Sequence, residues 1–295
     1  MAQGSRICPH CGGLNGIDEK SCYRCSKRLP GAIAGSVSGL AAEFSADGVP
    51  GTKLMAGVCI LVFGLCLLTD GGASGLPIFG SFRSSTTIRF GALLGLFFAS
   101  EPWRLLSAVF VHASLLHIGM NLLGIINLGR ALEPHFRTAR FLVLYLMSGL
   151  LGYVATLYWR GERAFSVGAS GALFGLLGAY IAVLLIRRNP GWHRVFVSNL
   201  ILAFALAYFS SRAGDGGSVP QIDNAAHIGG FVSGFVIGLL FERERRPQRR
   251  DRWLAIPAVV LVLASLTSIG LSATSPIWSA VRAREEAARL GHDSE

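Results

Sequence analysis

A chain of 295 residues that is 52% hydrophobic and only 15% charged falls well short of the roughly 25% charged residues usual in a soluble domain. Positions 1–53 and the last two dozen residues are polar, while the stretch between them holds repeated apolar blocks of membrane-spanning length, which excludes a soluble globular fold. The net charge of +10 and pI near 9.8 could signal nucleic acid, but basic loops beside anionic lipid account for both, and no nucleic-acid partner is expected.

At the amino terminus, the first thirty residues are polar and cysteine-rich rather than basic then apolar, so no secretory signal peptide is read there. Four of the six cysteines stand as Cys8-Pro-His-Cys11 and Cys22-Tyr-Arg-Cys25. Two CxxC pairs ten residues apart form two knuckles whose thiolates can meet tetrahedrally around one Zn2+. Gly12 and Gly13 follow the first pair, where a tight turn brings backbone toward sulfur. His10 could replace one ligand, although four cysteines suffice. A cytoplasmic location keeps thiols reduced and favours metal over disulfides. The pattern resembles a small zinc ribbon over residues 1–29, and its slight core leaves the metal to supply most of the folding energy. A cytoplasmic protein partner, metal or redox sensing, and simple stabilisation are the roles open to it. Residues 30–52, rich in Gly, Ala and Ser, read as a flexible tether.

Seven apolar blocks follow, at 54–69, 115–132, 140–159, 169–187, 195–210, 225–241 and 253–271, the fifth being the least hydrophobic. Short spans are tolerated inside a bundle or where the bilayer thins. Cys59 and Cys66 in the first block read as ordinary buried thiols. With a cytoplasmic amino terminus, 18 of the 27 Lys and Arg fall on inside segments and 9 outside, three of these in the tail. That bias favours an inside amino terminus and, after seven crossings, an outside carboxyl terminus. A bacterial inner membrane is the simplest location.

Ionisable side chains inside spans require an account. In the fourth block, Ser170 is flanked by Gly168, Ala169 and Gly171 at the start of a helix. Small neighbours leave its hydroxyl open, and the helix amino terminus presents free N–H groups to developing negative charge; alternatively, Ser170 merely caps a glycine-rich packing helix. In the sixth block, His227 opens a helix in which Gly230, Gly234 and Gly238 recur every four residues, and Gly171 and Gly175 form a matching pattern. Two such faces pack closely, which would bring Ser170 and His227 within hydrogen-bonding distance as nucleophile and general base. His117 and Asn121, four apart, share a helical face. With the Ser170 N–H they would form an oxyanion hole, unless they only glue helices together.

Taken together, Trp103-Arg104, His117 to Asn121, Gly168-Ala169-Ser170-Gly171 and His227 with Gly230 and Gly234 resemble the rhomboid family of intramembrane serine proteases. The resemblance covers about residues 53–245. It implies an all-α polytopic membrane protein: a rhomboid-like six-helix core at 53–245, a basic loop and one added C-terminal transmembrane helix at 246–271, a tail at 272–295, and the zinc ribbon in front. It further implies cleavage of the transmembrane segments of other proteins near the extracytoplasmic face by a Ser–His dyad. The partners would be transmembrane protein substrates and the lipid bilayer, with no cofactor for catalysis and one structural Zn2+ in the ribbon. Trp103 and Arg104 match the dipeptide of the family's first extramembrane loop, which lies partly in the membrane, and Arg104 would pair with Glu133. His112 matches a further family histidine that is structural or water-holding. Phe174, four after the serine, stands where many members carry an aromatic that packs on the catalytic histidine. Asp223, four before His227, could orient the imidazole or cap the helix. The competing reading is a non-catalytic rhomboid-like protein that binds membrane clients. A proton-relay transporter fits less well, since buried carboxylates and repeated halves are missing from the pattern.

Overall fold

The structure, a computed structural model, describes residues 5–8, 11–16, 19–29, 47–70, 81–195, 197–198, 222–244 and 247–292. The fifth expected span, 195–210, and most of the tether, 30–52, lie outside the described residues. The chain divides into two compact units, Met1–Pro50 and Gly51–Glu295.

The first unit is built on β1 (Ser5–Ile7) and β2 (Leu14–Gly16), which pair antiparallel, with a bridge between Ser21 and Arg28 in the following loop. Its two turns are near copies. The Cys8 N–H donates to Gly13 O and the Gly12 N–H to Cys8 O; the Cys22 N–H donates to Lys27 O and the Ser26 N–H to Cys22 O. Each turn needs a left-handed residue, supplied by Gly12 (φ 73°) in one and Ser26 (φ 57°) in the other. Buried Asn15 joins them, donating to Gly13 O and accepting the Tyr23 N–H.

The second unit is a helical bundle. Among the described residues five helices are long and apolar enough to cross a membrane, so the chain is a polytopic integral membrane protein; in lipid such segments must satisfy their backbone polar groups internally, and helices do so. In chain order the unit comprises α1 (Pro50–Thr69), α2 (Ser84–Arg89), the short strand β3 (Leu93–Leu94), α3 (Arg104–Ser107), α4 (Leu115–Phe136), α5 (Thr138–Arg160), the strand β4 (Phe165–Ser166), α6 (Ser170–Ile186), α7 (Asn224–Arg243), α8 (Pro247–Thr274) and α9 (Ile277–His292). The 17 residues of α6 span only about 26 Å, short of a full hydrocarbon core, as befits a helix enclosed by neighbours.

Glycine sets the closest contact in the bundle. A Cβ on Gly230 would lie 2.0 Å from Gly171 O, one on Gly234 2.1 Å from Gly175 O, and one on Gly238 2.6 Å from the Ala179 Cα. Helices α6 and α7 therefore touch backbone to backbone. On the other side of α7, a Cβ on Gly229 would meet Ala155 of α5 at 2.5 Å. Phe110, Phe141, Tyr145, Leu144 and Leu176 fill the core beneath.

At its far end, α4 carries Glu133, wholly buried. Its carboxylate accepts from the Gly51 N–H, the Thr52 N–H and hydroxyl, and the Thr138 hydroxyl. It thus caps the amino terminus of α1, whose first amides have no helical acceptor, and four donors offset the burial of its charge. This corrects the expected pairing of Arg104 with Glu133. Glu133 stands 16 residues beyond His117, about 24 Å along the helix, whereas Arg104 precedes that helix at its other end. Arg104 pairs instead with Glu101, one turn earlier.

Candidate active site

Ser170 is the first residue of α6 and His227 lies in the first turn of α7. The backbone contact between the two helices brings their starts together, and Ser170 Oγ and His227 Nε2 share a hydrogen bond of 2.8 Å. Both residues are half-buried. The Ser170 hydroxyl does not cap its own helix; Ala169 holds the cap position without a side-chain bond. The amides that open α6 thus stay beside the hydroxyl. Phe174 stacks on the imidazole, with ring centroids 4.3 Å apart and planes 16° from parallel, which fixes the ring plane.

Asp223 caps α7. Its carboxylate accepts the Ala226 N–H at 3.1 Å and the Thr156 hydroxyl at 2.7 Å, and it is buried against α5 rather than set in water. Those bonds tie Asp223 to α5 and to the start of its own helix.

His117 and Asn121 rise from α4 beside the serine turn. Ser114 caps that helix by accepting the His117 N–H. The Ala113 N–H reaches His117 Nδ1 at 3.4 Å, which makes Nδ1 the acceptor and leaves Nε2 carrying the proton. Nε2 points at the turn before Ser170: a Cβ at Gly168 (φ +117°) would lie 2.7 Å from it. Only glycine satisfies both the backbone angle and that approach. One Asn121 Nδ2–H donates to His117 O at 2.8 Å, while the buried Oδ1 has no hydrogen-bond partner. Behind them His112, fully buried, is edge-on to His117 with centroids 5.0 Å apart. It lies 3.2 Å from Phe110 O through Nδ1 and accepts the Ala169 N–H through Nε2 at 3.4 Å, bracing the residue before the serine.

Trp103 and Arg104 open α3 in the long segment between α1 and α4. Arg104 Nη1 donates to Ile88 O and Ala92 O, tying that segment to itself. The segment joins the site elsewhere: β3 pairs with β4, and the Gly168 N–H donates to Ala108 O at 2.9 Å. Tyr153 of α5 clamps the junction, its hydroxyl 2.7 Å from Gly168 O and 3.2 Å from Ala108 O. Sequence reasoning missed Tyr153 and Glu101. Tyr153 bonds to carbonyls that only the folded loop brings together, whereas Glu101 stands three residues before Arg104, a local spacing that could have signalled the pair.

In the amino-terminal unit, the ligand atoms of Cys8, Cys11, Cys22 and Cys25 all lie within 4.8 Å of one another. Cys11 and Cys22 Sγ are 3.5 Å apart, and Cys8 and Cys25 Sγ 3.7 Å. Tetrahedral Zn–S bonds of about 2.3 Å demand S···S edges of about 3.8 Å, so the cluster fits that ion. Burial pushes the Cys22 thiol up, but N–H groups of Cys25 and Arg24 and the hydrogen-bonded Cys11 thiol outweigh it and bring it to about 6. At Cys11 a backbone bond to Gly13 favours the thiolate, yet burial and the other three sulfurs push it up to about 12. Unaided, the cluster resists gathering four negative charges; a dication removes that resistance.

A profile of the rhomboid domain matches residues 99–244. RHOMBOID-like protein 1 of Arabidopsis thaliana is 40% identical over 141 residues, 48% of this chain and 35% of that protein. Rhomboid protease GluP of Bacillus subtilis is 36% identical over 157 residues, 53% of this chain and 29% of its own length. Rhomboid-type serine protease 2 of Emericella nidulans is 33% identical over 162 residues, 53% of this chain and 30% of its own length. The chain thus spans about a third of the length of these three relatives.

Proposed function

Because this chain belongs to the rhomboid family, we propose that it is an intramembrane serine endopeptidase with Ser170 as nucleophile and His227 as general base. The observation that carries the reading is the 2.8 Å bond from Ser170 Oγ to His227 Nε2 at the touching ends of two helices. Relatives named as serine proteases support it, and the presence of both groups argues against a purely client-binding role.

In the proposed reaction His227 takes the Ser170 proton as Oγ attacks the scissile carbonyl, forming the acyl-enzyme bond. It returns that proton to the leaving amine, and a water activated the same way releases the acyl chain. The developing oxyanion is held by the Ser170 N–H, His117 Nε2–H and the remaining Asn121 Nδ2–H. Gly168 keeps the turn close to His117, while Gly171, Gly230 and Gly234 keep α6 against α7. Phe174 and His112 hold the imidazole and the turn in place.

The substrates are transmembrane segments of other proteins, cut near the extracytoplasmic face. A helical substrate shields its amides by internal bonds, so segments weakened by Gly, Ala, Ser or Pro are favoured. The charge bias of the loops supports a cytoplasmic amino terminus and an extracytoplasmic tail; the bilayer we assign is a bacterial inner membrane. Cys8, Cys11, Cys22 and Cys25 hold one structural Zn2+ that organises the ribbon, which is free to meet a cytoplasmic protein partner. The test is cleavage of a single-span substrate in proteoliposomes: Ser170→Ala and His227→Ala each abolish it. Cleavage persisting in both would refute the dyad.

A further inference from the structure

The carboxyl-terminal helix α9 docks on the segment between α1 and α4. Its inner side is Trp278, Val281, Arg282 and Glu285, spaced three and four apart so that they share a face. Arg83, at the cap position of helix α2, makes no side-chain cap bond, and Asp70, just after α1, accepts from the Arg83 N–H and the Thr86 hydroxyl. Glu285 provides a further acceptor, taking the Ser85 hydroxyl at 2.6 Å and the Ser85 N–H at 3.2 Å. Arg282 donates to Thr69 O at 3.1 Å, where α1 ends, and the Arg89 guanidinium lies 4.5 Å over the Trp278 ring. Ser85, Thr86 and Thr87 are all buried, and buried hydroxyls need partners; the tail is where Ser85 finds one.

From the tail, bonded contacts run to the serine. Ser275 donates to Glu101, which pairs with Arg104, which in turn holds Ile88 O and Ala92 O. Ser107 donates to Gly91 O, where a Cβ would strike the Ser107 side chain and come within 3.2 Å of Ser272 Oγ on α8. Immediately after Ser107, Ala108 O receives the Gly168 N–H and the Tyr153 hydroxyl. The links are hydrogen bonds and one ion pair, joined by short stretches of backbone.

We propose that α9 is a strap that positions the segment 81–110, and through it the Gly168–Ser170 turn, with Glu285 as its principal positioning residue. This rests on the serine-protease reading. A displaced strap lets the loop shift and misaligns the Ser170 amide and hydroxyl, so it lowers turnover at saturating substrate more than it weakens substrate binding.

The experiment compares unaltered full-length protein with Glu285→Ala, Glu285→Gln, Ser85→Ala and the Ser85→Ala/Glu285→Ala double variant in proteoliposomes. Active sites are counted by fluorophosphonate labelling, and turnover is expressed per labelled Ser170. The expected result is a kcat per labelled site about fivefold lower in Glu285→Ala with KM changed less than about twofold. Glu285→Gln, which keeps an acceptor for the Ser85 N–H, restores most of it. The double variant is no slower than Glu285→Ala alone, because both changes remove one contact. Unchanged turnover per labelled site, however far thermal stability falls, would overturn the proposal, as would additive losses in the double variant. Absence of label on the unaltered chain would overturn the serine-protease reading and the strap with it.

Discussion

A serine hydroxyl near neutral pH holds its proton too tightly to attack an amide, so its reactivity depends on what lies within about 3 Å of it. Here that neighbour is an imidazole nitrogen, with a protonated His117 Nε2 facing the turn one residue away from the nucleophile's own cap. If His117 and Asn121 serve as the proposed oxyanion donors, removing either should act on the transition state alone. Accordingly, His117→Ala or Asn121→Ala should lower kcat about 10²-fold with little change in KM, measured on the same single-span substrate. Tyr153→Phe should lower thermal stability by about 1–2 kcal/mol, because two buried carbonyls lose a donor, and should also slow cleavage by loosening Gly168. The meeting of Ser170 with His227 and the shared face of His117 and Asn121 were legible in the sequence. Small residues beside one serine and a four-residue interval on one helical face are local patterns. Tyr153 was not legible, since its partners are two carbonyls 45 and 15 residues away. Arg104 was misassigned although its partner, Glu101, stands only three residues before it. A charge pair inside a membrane chain can be drawn to any opposite charge, and only the length of α4 shows that Glu133 stands at the wrong end.

Among the elements, α6 and α7 form the tightest pair. Their four-residue glycine period is readable from sequence because it is strictly local, and it acquires meaning only when two such faces meet. The consequence is sharp: Gly230→Ala or Gly234→Ala places a Cβ about 2 Å from a backbone oxygen of α6, so the helices must part. Both variants should lower the midpoint of thermal unfolding and lose most cleavage. Gly57→Ala and Gly64→Ala on α1, where a Cβ meets nothing within 4 Å, should leave both quantities essentially unchanged. Equal losses at all four positions would show that packing on α7 is not the cause. The two-residue strands β3 and β4 were not foreseen, since two residues carry no periodicity, nor was the docking of α9 on α2. The tail's sequence reads as a short polar helix, and what it binds is decided by Ser85, two hundred residues earlier in the chain.

The chain joins a small unit whose four cysteines could hold a metal ion to a membrane bundle. In the small unit, the buried hydrophobic cluster is Cys8, Cys22 and Leu29, too little apolar area to offset the entropy of ordering the chain. Stripping Zn2+ with a strong chelator should therefore unfold residues 5–29, seen as loss of dispersed amide signals there. The bundle, with its own core, should keep cleaving, as should a chain lacking residues 1–30. Loss of cleavage on chelation would mean that the ribbon takes part in catalysis. The most direct measurement of the site itself is mass spectrometry of the membrane-embedded protein after treatment with a serine-directed fluorophosphonate. The account predicts a single phosphonyl adduct on Ser170, formed fast in the unaltered chain and lost in His227→Ala. An adduct that forms equally fast without His227, or that appears on some other serine, would contradict it.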